Sequence, residues 1–186
     1  MESIQPTNPG SVASGLPSWN ETLRDGSQVL IRPIRGEDAP AERAFIEALS
    51  PDARHNRFLG QVGHPSDAMV KHFVELDFVH ELGFVAVDQA GDADVFLGVG
   101  RYSTGPGDNP TSCECAVSVL DAWQGRGLGT ALMTHLIEAA KERGVTRMWS
   151  LDAVENNKMR DLANHLGFER KPDPDNSSQV LHTLAL

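Results

Sequence analysis

The stretch AVSVLDAWQGRGLGTALM, residues 116–133, carries the most specific pattern in this sequence. It starts as an apolar extended run, passes through three glycines within five residues, and continues with apolar residues at helical spacing. Glycine lets a ligand approach the backbone closely, and the first turn of a helix offers N–H groups that have no partner inside the helix. The stretch therefore predicts a strand, a glycine turn and a helix whose N-terminus binds an anion.

Three kinds of glycine-rich phosphate site compete for this turn. A P-loop requires a lysine after its last glycine, and the residue here is Thr130. A dinucleotide fingerprint has a different glycine spacing and stands in the first strand–helix–strand unit of its domain. The pattern Q/R-x-x-G-x-G/A fits QGRGLG, residues 124–129, at every position. We therefore predict the third kind of site.

Outward from this stretch, apolar periodicity and turn residues predict an alternation of short elements. A hairpin is predicted over residues 21–34, helices over 36–50, 52–59 and 66–76, and strands over 82–88, 95–103 and 113–120. After the helix of the glycine motif come a strand over 146–153, a helix over 156–166 and strands over 167–171 and 179–186. This order predicts an α+β fold with a mixed sheet of about six to seven strands, flanked by helices.

Composition limits the class of protein. The chain has 186 residues and suits one domain, which we expect over 20–186 behind a flexible, Pro- and Ser-containing tail over 1–19. A formal net charge of −10 argues against nucleic acid as a partner. Neither a membrane-spanning apolar run nor a secretory signal is present, which predicts a cytoplasmic protein without a membrane partner. Cys113 and Cys115 are expected to be reduced core thiols, and no spacing indicates a metal site.

The glycine motif carries a family resemblance. Residues 116–133, together with NNKMRDLANHLGF at 156–168 and IRPIRGED at 31–38, resemble the GNAT superfamily of N-acetyltransferases. The resemblance covers about residues 22–185 and implies acetyl-CoA as cosubstrate, with no metal. It also implies that two parallel strands are splayed apart by a β-bulge, which opens a slot for the pantetheine arm of the coenzyme.

The same resemblance implies which residues hold acetyl-CoA. Strand backbone pairs with the pantetheine arm, and successive N–H groups at the helix start cradle the pyrophosphate, where the Arg126 guanidinium adds a hydrogen bond. Asn156 is expected to hydrogen-bond the pantetheine arm, and Asn157 and Met159 are expected to lie near it. The complete set is Val117, Ser118, Val119, Gln124, Gly125, Arg126, Gly127, Leu128, Gly129, Thr130, Asn156, Asn157 and Met159.

Amine acetylation needs a base, because an alkylamine is mostly protonated near neutral pH. Glu114 is the candidate: by strand alternation it shares a face with Ala116 and Ser118, which are small and leave space. A carboxylate in so apolar a strand is costly without a purpose or a partner. From the residues alone, a salt bridge to Arg101 on the neighbouring strand is an equal alternative.

A narrower resemblance favours the base. Residues 98–129 and LSPDARHNRFLG at 49–60 resemble the GNAT domains of bacterial protein lysine acetyltransferases that modify acyl-CoA synthetases. In those domains a glutamate at the position of Glu114 is the proposed base, and the segment like 49–60 helps to build the substrate side. Many GNAT enzymes also carry a tyrosine general acid, but that position here is Ala163, and the only tyrosine is Tyr102 on another strand.

Several mechanistic and functional alternatives stay open at this point. Direct attack of the amine is expected, because neither cysteine has a histidine nearby to make it a nucleophile. A backbone N–H near Val119 is expected to bind the oxyanion, with the Ser118 hydroxyl as the alternative. The acceptor is a protein lysine, or a small amine such as a polyamine, amino acid or aminoglycoside; a non-catalytic acyl-CoA sensor is the third hypothesis. QVLHTLAL at 179–186 is expected as an exposed edge strand, and the oligomeric state is open.

Overall fold

A computed structural model describes residues 15–59, 64–88, 94–105 and 111–186. The strands are β1 (Trp19–Thr22), β2 (Gln28–Pro33), β3 (Glu81–Asp88), β4 (Val95–Ser103), β5 (Ser112–Val119), β6 (Arg147–Ala153), β7 (Glu169–Pro172) and β8 (Gln179–Ala185). The helices are α1 (Ala39–Ala48), α2 (Pro51–Phe58), α3 (Asp67–Val74), α4 (Leu128–Glu142) and α5 (Asn157–His165). Single 3-10 turns cover Gly36–Asp38 and Asp121–Trp123. The elements follow the predicted order.

The strands form one mixed sheet in the order β1-β2-β3-β4-β5-β6-β8-β7. The predicted α+β class is confirmed, but the sheet has eight strands rather than six to seven, since both terminal hairpins join it completely. The expectation that residues 179–186 form an exposed edge is wrong. β8 pairs with β6 over seven residues and with β7 on its other side, so it lies inside the sheet.

Trp19 stands at the junction between the predicted tail and the sheet. Most of that tail, residues 1–14, lies outside the described residues. Trp19, the last residue assigned to the tail, begins β1 and is stacked on His135 of α4, with 3.9 Å between ring centroids. It also meets Phe84 of β3 edge-on, at 5.2 Å. Trp19 is therefore part of the packed fold.

A parallel pair of strands separates in the middle of the sheet. β5 and β6 pair only from Ser112–Arg147 to Glu114–Trp149. Beyond that point β5 continues along β4, while β6 continues along β8. The implied slot is present, but no bulge in β5 accompanies it: the register shift in this part of the sheet lies between β3 and β4. The slot opens because each strand follows its own antiparallel partner.

α4 packs closely on the sheet beside this slot. Its buried side includes Leu128, Leu132, Met133 and Leu136, each no more than 1% exposed. A Cβ atom at Gly98 of β4 would lie 3.0 Å from the Leu132 Cδ1 and 3.2 Å from the Ser118 carbonyl oxygen, so only glycine admits this approach. The contact fixes the start of α4 next to the open end of β5. No described helix is both long and apolar enough to cross a membrane.

Candidate active site

A cleft of about 1050 Å³ follows the slot. It runs from α2, past β5 and the glycine turn, to the end of β6 and the start of α5. Its wall includes every residue predicted for the site except Arg126 and Leu128: Glu114, Val117, Ser118, Val119, Gln124, Gly125, Gly127, Gly129, Thr130, Asn156, Asn157 and Met159. The fold therefore brings residues from distant parts of the sequence around one cavity.

The glycine turn forms an uncapped helix N-terminus. Gly125 and Gly127 have φ angles of +73° and +94°, which side chains other than glycine rarely adopt. The first intrahelical bond runs from the Ala131 N–H to the Gly127 carbonyl, so the N–H groups of the first three helical residues have no partner within the helix. No side chain caps them, and no acidic residue stands in the first turn. This arrangement fits a phosphate.

Two predicted residues do not line the cleft with their side chains. Leu128 is buried in the core, and only its backbone belongs to the helix start. The guanidinium of Arg126 forms a 2.8 Å ion pair with Asp25 in the β1–β2 turn and lies over the Trp123 ring. The Asp25 carboxylate, in a hairpin distant in the sequence, thus holds the Arg126 guanidinium, which was predicted to bind the phosphate.

The inner side of β5 presents free backbone groups. The Leu120 N–H donates to the Leu97 carbonyl of β4, at 2.9 Å. Backbone N–H and carbonyl groups alternate in direction along an antiparallel strand, so those of Ser118 also point toward β4. Val117 and Val119 consequently turn their N–H and carbonyl groups toward the slot. The Gln124 side chain donates to the Val119 carbonyl at 2.9 Å, and the Val117 groups stay open. An extended amide chain can pair with this edge.

The start of α5 forms another wall. Asn156 caps the helix, its side-chain oxygen accepting from the Met159 N–H at 3.1 Å, which leaves its side-chain NH₂ as a donor. The Asn157 side chain accepts from Arg160 at 2.7 Å. Met159 is largely buried. Of the three, Asn156 is the side chain best suited to an amide ligand.

Two cations on the cleft wall, Arg24 and Lys158, were not predicted from the sequence. Arg24, in the β1–β2 turn, donates its backbone N–H to the Arg126 carbonyl and packs its side chain against Gly127. Lys158, in the first turn of α5, donates to the Gln124 side chain and lies 3.7 Å from Asp121. Lys158 could have been predicted, because it lies two residues after Asn156, which was already assigned to the cofactor. Nothing in the sequence connects Arg24 to the glycine turn.

Glu114 is the last β5 residue paired with β6, and its side chain lines the cleft. Within the described chain, no hydrogen bond or ion pair reaches its carboxylate. Partial burial raises the pKa of Glu114; the Arg57 charge opposes this shift, and the Asp152 charge adds to it. The alternative partner Arg101 is engaged elsewhere, 2.8 Å from Glu42 on α1. The carboxylate is thus available to accept a proton.

Arg57 places a cation beside this carboxylate. α2 begins after Ser50, whose hydroxyl caps the helix by accepting from the Ala53 N–H. Arg57, at the penultimate position of α2, lies over the rings of Phe58 and Phe73. Burial lowers the pKa of Arg57 to about 10, so it remains charged at neutral pH. It lines both the cleft and a small cavity of about 10 Å³ behind it.

Other reactive groups lie away from this chemistry. Burial raises the pKa of Cys113 to about 12 and that of Cys115 well above its usual range, so both thiols are poor nucleophiles. Ala163 is fully buried, and Tyr102 lies in the core with its pKa raised by burial to about 12. Among the described residues, no group of three or more His, Cys, Asp or Glu side chains is placed to hold a metal.

Comparison with known proteins identifies the family of this chain. The sequence profile of the acetyltransferase (GNAT) family matches residues 43–168. The chain is similar to Acetyltransferase PA5475 of Pseudomonas aeruginosa, with 44% identity over 168 residues, which cover 90% of this chain and 89% of that protein. The match therefore includes nearly all of both chains.

Two further relatives share the domain. Acetyltransferase Pat of Mycolicibacterium smegmatis is 30% identical over 145 residues, covering 78% of this chain but 42% of that protein. Among solved structures, the GNAT domain of S. lividans PAT superimposes with a TM-score of 0.83 and 30% identity, covering 91% of this chain and 97% of that one. The narrower resemblance found in the sequence thus has a structural counterpart.

Proposed function

The chain belongs to the GNAT family of acetyltransferases, and on that premise we propose that it transfers an acetyl group from acetyl-CoA directly to a protein lysine, with Glu114 as general base. The observation that carries the proposal is the unpaired Glu114 carboxylate, within the described chain, at the point where the sheet opens into the cleft. A carboxylate of raised pKa is better matched to proton transfer near neutral pH than an ordinary one.

Each chemical step has a candidate group. Glu114 takes a proton from the lysine ammonium, directly or through water, and the neutral amine attacks the thioester carbonyl. The backbone N–H of Val117 or Val119 points into the slot and can donate to the oxyanion that forms. Collapse of the tetrahedral intermediate breaks the C–S bond and releases the coenzyme A thiolate, and the second proton of the amine nitrogen passes through water to that thiolate. Because a free thiol has a pKa of about 8.5, this departure can proceed with water as the proton donor.

The coenzyme finds a complementary surface along the cleft. Its pyrophosphate suits the uncapped start of α4, with Arg24 and Lys158 as nearby cations. Its amide-containing arm suits the open edge of β5 at Val117. A volume of about 1050 Å³ is at the upper end for small-molecule sites, which leaves room for the end of an acceptor side chain.

The choice of a protein lysine rests on α2. Residues 49–60 are the segment that resembles the substrate side of protein lysine acetyltransferases, and Ser50, Ala53 and Arg57 from this segment line the cleft. A small cationic amine is the competing acceptor, because the cleft wall also includes Asp52, Asp121, Glu155 and Asp161.

The experiment that tests the proposal uses labelled acetyl-CoA with a lysate of the source cells and, separately, with a panel of polyamines, amino acids and aminoglycosides. We expect the native protein to label a lysate protein on lysine, and the Glu114→Gln variant to fail. Thiol release with a small amine alone would support the competing acceptor. Tight coenzyme binding with no turnover on either set would contradict catalysis.

The pH dependence of kcat/KM tests Glu114 as the base, because the neighbouring Arg57 charge influences the pKa of Glu114. The rate should fall as the pH drops through the Glu114 pKa, because the protonated carboxyl cannot accept a proton. Arg57→Gln removes a cation that lowers this pKa, so the acidic limb should move to higher pH. Arg54→Gln, on the same helix, is the matched control and should leave the limb in place. An unchanged limb in Arg57→Gln would contradict Glu114 as the titrating group.

A further inference from the structure

A buried polar cluster on β6 and β8 lies beside the slot and consists of Ser150, Asp152 and His182. Asp152, near the end of β6, is 9% exposed, and its two partners Ser150 and His182 are 3% and 1% exposed. The Ser150 hydroxyl donates to the Asp152 Oδ2 at 2.6 Å, and the His182 Nδ1 lies 2.9 Å from the same oxygen. Burying a carboxylate among strands is costly without hydrogen bonds, and these two contacts supply them at one of its oxygens.

The two oxygens of Asp152 are used unequally. Both contacts converge on Oδ2, and within the described chain Oδ1 has no hydrogen-bond partner. Asp152 is part of the cleft wall. Two contacts from rigid strands hold the carboxylate in one orientation, so that a free acceptor oxygen is pre-positioned at the slot.

Asp152 and Val117 line the same cleft from its two strands. β5 and β6 separate beyond the Glu114–Trp149 pair, and each of these residues lies three positions further along its own strand. Burial raises the pKa of both Glu114 and Cys115, and the Asp152 charge raises both further, which agrees with its place beside β5. One side of the slot thus offers backbone groups, and the other offers a carboxylate oxygen.

We propose that the Asp152 Oδ1 accepts a hydrogen bond from an amide N–H of the pantetheine arm, and that Ser150 and His182 position it for this contact. This contact rests on the proposed function, since it requires acetyl-CoA in the slot. A pantetheine arm carries amide N–H donors, and an ionised acceptor makes a stronger hydrogen bond with such a donor than a neutral one does. Asp152 would therefore recognise the arm rather than the nucleotide.

The test measures binding without any acceptor, by calorimetry of native protein and of Asp152→Asn. The substitution keeps the shape and can keep both contacts at Oδ2, but it turns an NH₂ group toward the arm. We expect affinity for coenzyme A and for S-acetylpantetheine to fall about tenfold to a hundredfold. Affinity for adenosine 3′,5′-bisphosphate, which lacks the arm, should stay within about twofold. Asp175→Asn, on the exposed loop between β7 and β8 and away from the cleft wall, is the matched control and should leave the affinity for all three ligands unchanged.

The three ligands distinguish a contact with the arm from a general disturbance of the cleft. Equal weakening of all three would indicate a disturbed cleft and would overturn the proposed contact, as would unchanged binding of coenzyme A. A second variant, Ser150→Ala, removes one contact at Oδ2 and should weaken only the arm-containing ligands, by less than Asp152→Asn does. Since no acceptor is present, failure to acetylate lysine would count against the proposed function and would leave the binding result unaffected.

Discussion

The Glu114→Gln variant is expected to lose about 10²–10⁴-fold in kcat while keeping its affinity for acetyl-CoA, because the amide cannot take the amine proton. Glutamine has nearly the same shape, and no described group bonds to the Glu114 carboxylate, so the fold loses no contact. Steady-state kinetics with the labelled protein acceptor, together with calorimetric binding of coenzyme A, measure the two quantities separately.

The pH dependence of the variant adds a second criterion. Without a base, only the neutral fraction of the acceptor reacts, and a lysine amine has a pKa of about 10.4. The variant rate should therefore rise about tenfold for each pH unit below that value. Glu142→Gln, the same substitution at the exposed end of α4 and away from the cleft wall, should keep the native rate. A Glu114→Gln protein within about threefold of native kcat would exclude this carboxylate as the base.

Glu42→Ala is expected to lower the free energy of unfolding by about 3–5 kcal/mol, the usual cost of breaking a buried ion pair. Glu42 and Arg101 lie 2.8 Å apart, with side chains 3% and 13% exposed. Burial raises the pKa of Glu42 and lowers the pKa of Arg101 despite this contact, so each charge depends on the other for compensation. The substitution would leave Arg101 and Arg57 as neighbouring buried cations.

Thermal and urea unfolding measure this effect. A change of this size lowers Tm by on the order of 10 °C in a chain of this length. Glu169→Ala, which breaks an exposed pair with Lys171 on the edge strand β7, is the matched control and should leave Tm nearly unchanged. If Glu42→Ala and Glu169→Ala had equal effects, the buried pair would not be what holds α1 to the sheet.

Glu42 also explains why the sequence left the role of Glu114 undecided. Arg101 follows the apolar part of β4, and strand pairing places it close to Glu114, so a salt bridge between them was a fair expectation. Glu42 lies 59 residues before Arg101, on a helix whose position over the sheet no local pattern specifies. Only packing of α1 against β4 decided which carboxylate Arg101 would take.

Local sequence patterns alone predict the element order, the glycine turn and the face of β5 that carries Glu114, since these depend on backbone freedom and on side-chain periodicity within a few residues. Packing of distant segments fixes the contacts around the cleft. The Asp25 carboxylate pairs with the Arg126 guanidinium, and the His182 ring, 30 residues away in the sequence, contacts the Asp152 carboxylate. The splay itself arises because β5 and β6 follow different partners. Contacts of this kind depend on three-dimensional packing, and no local periodicity encodes them.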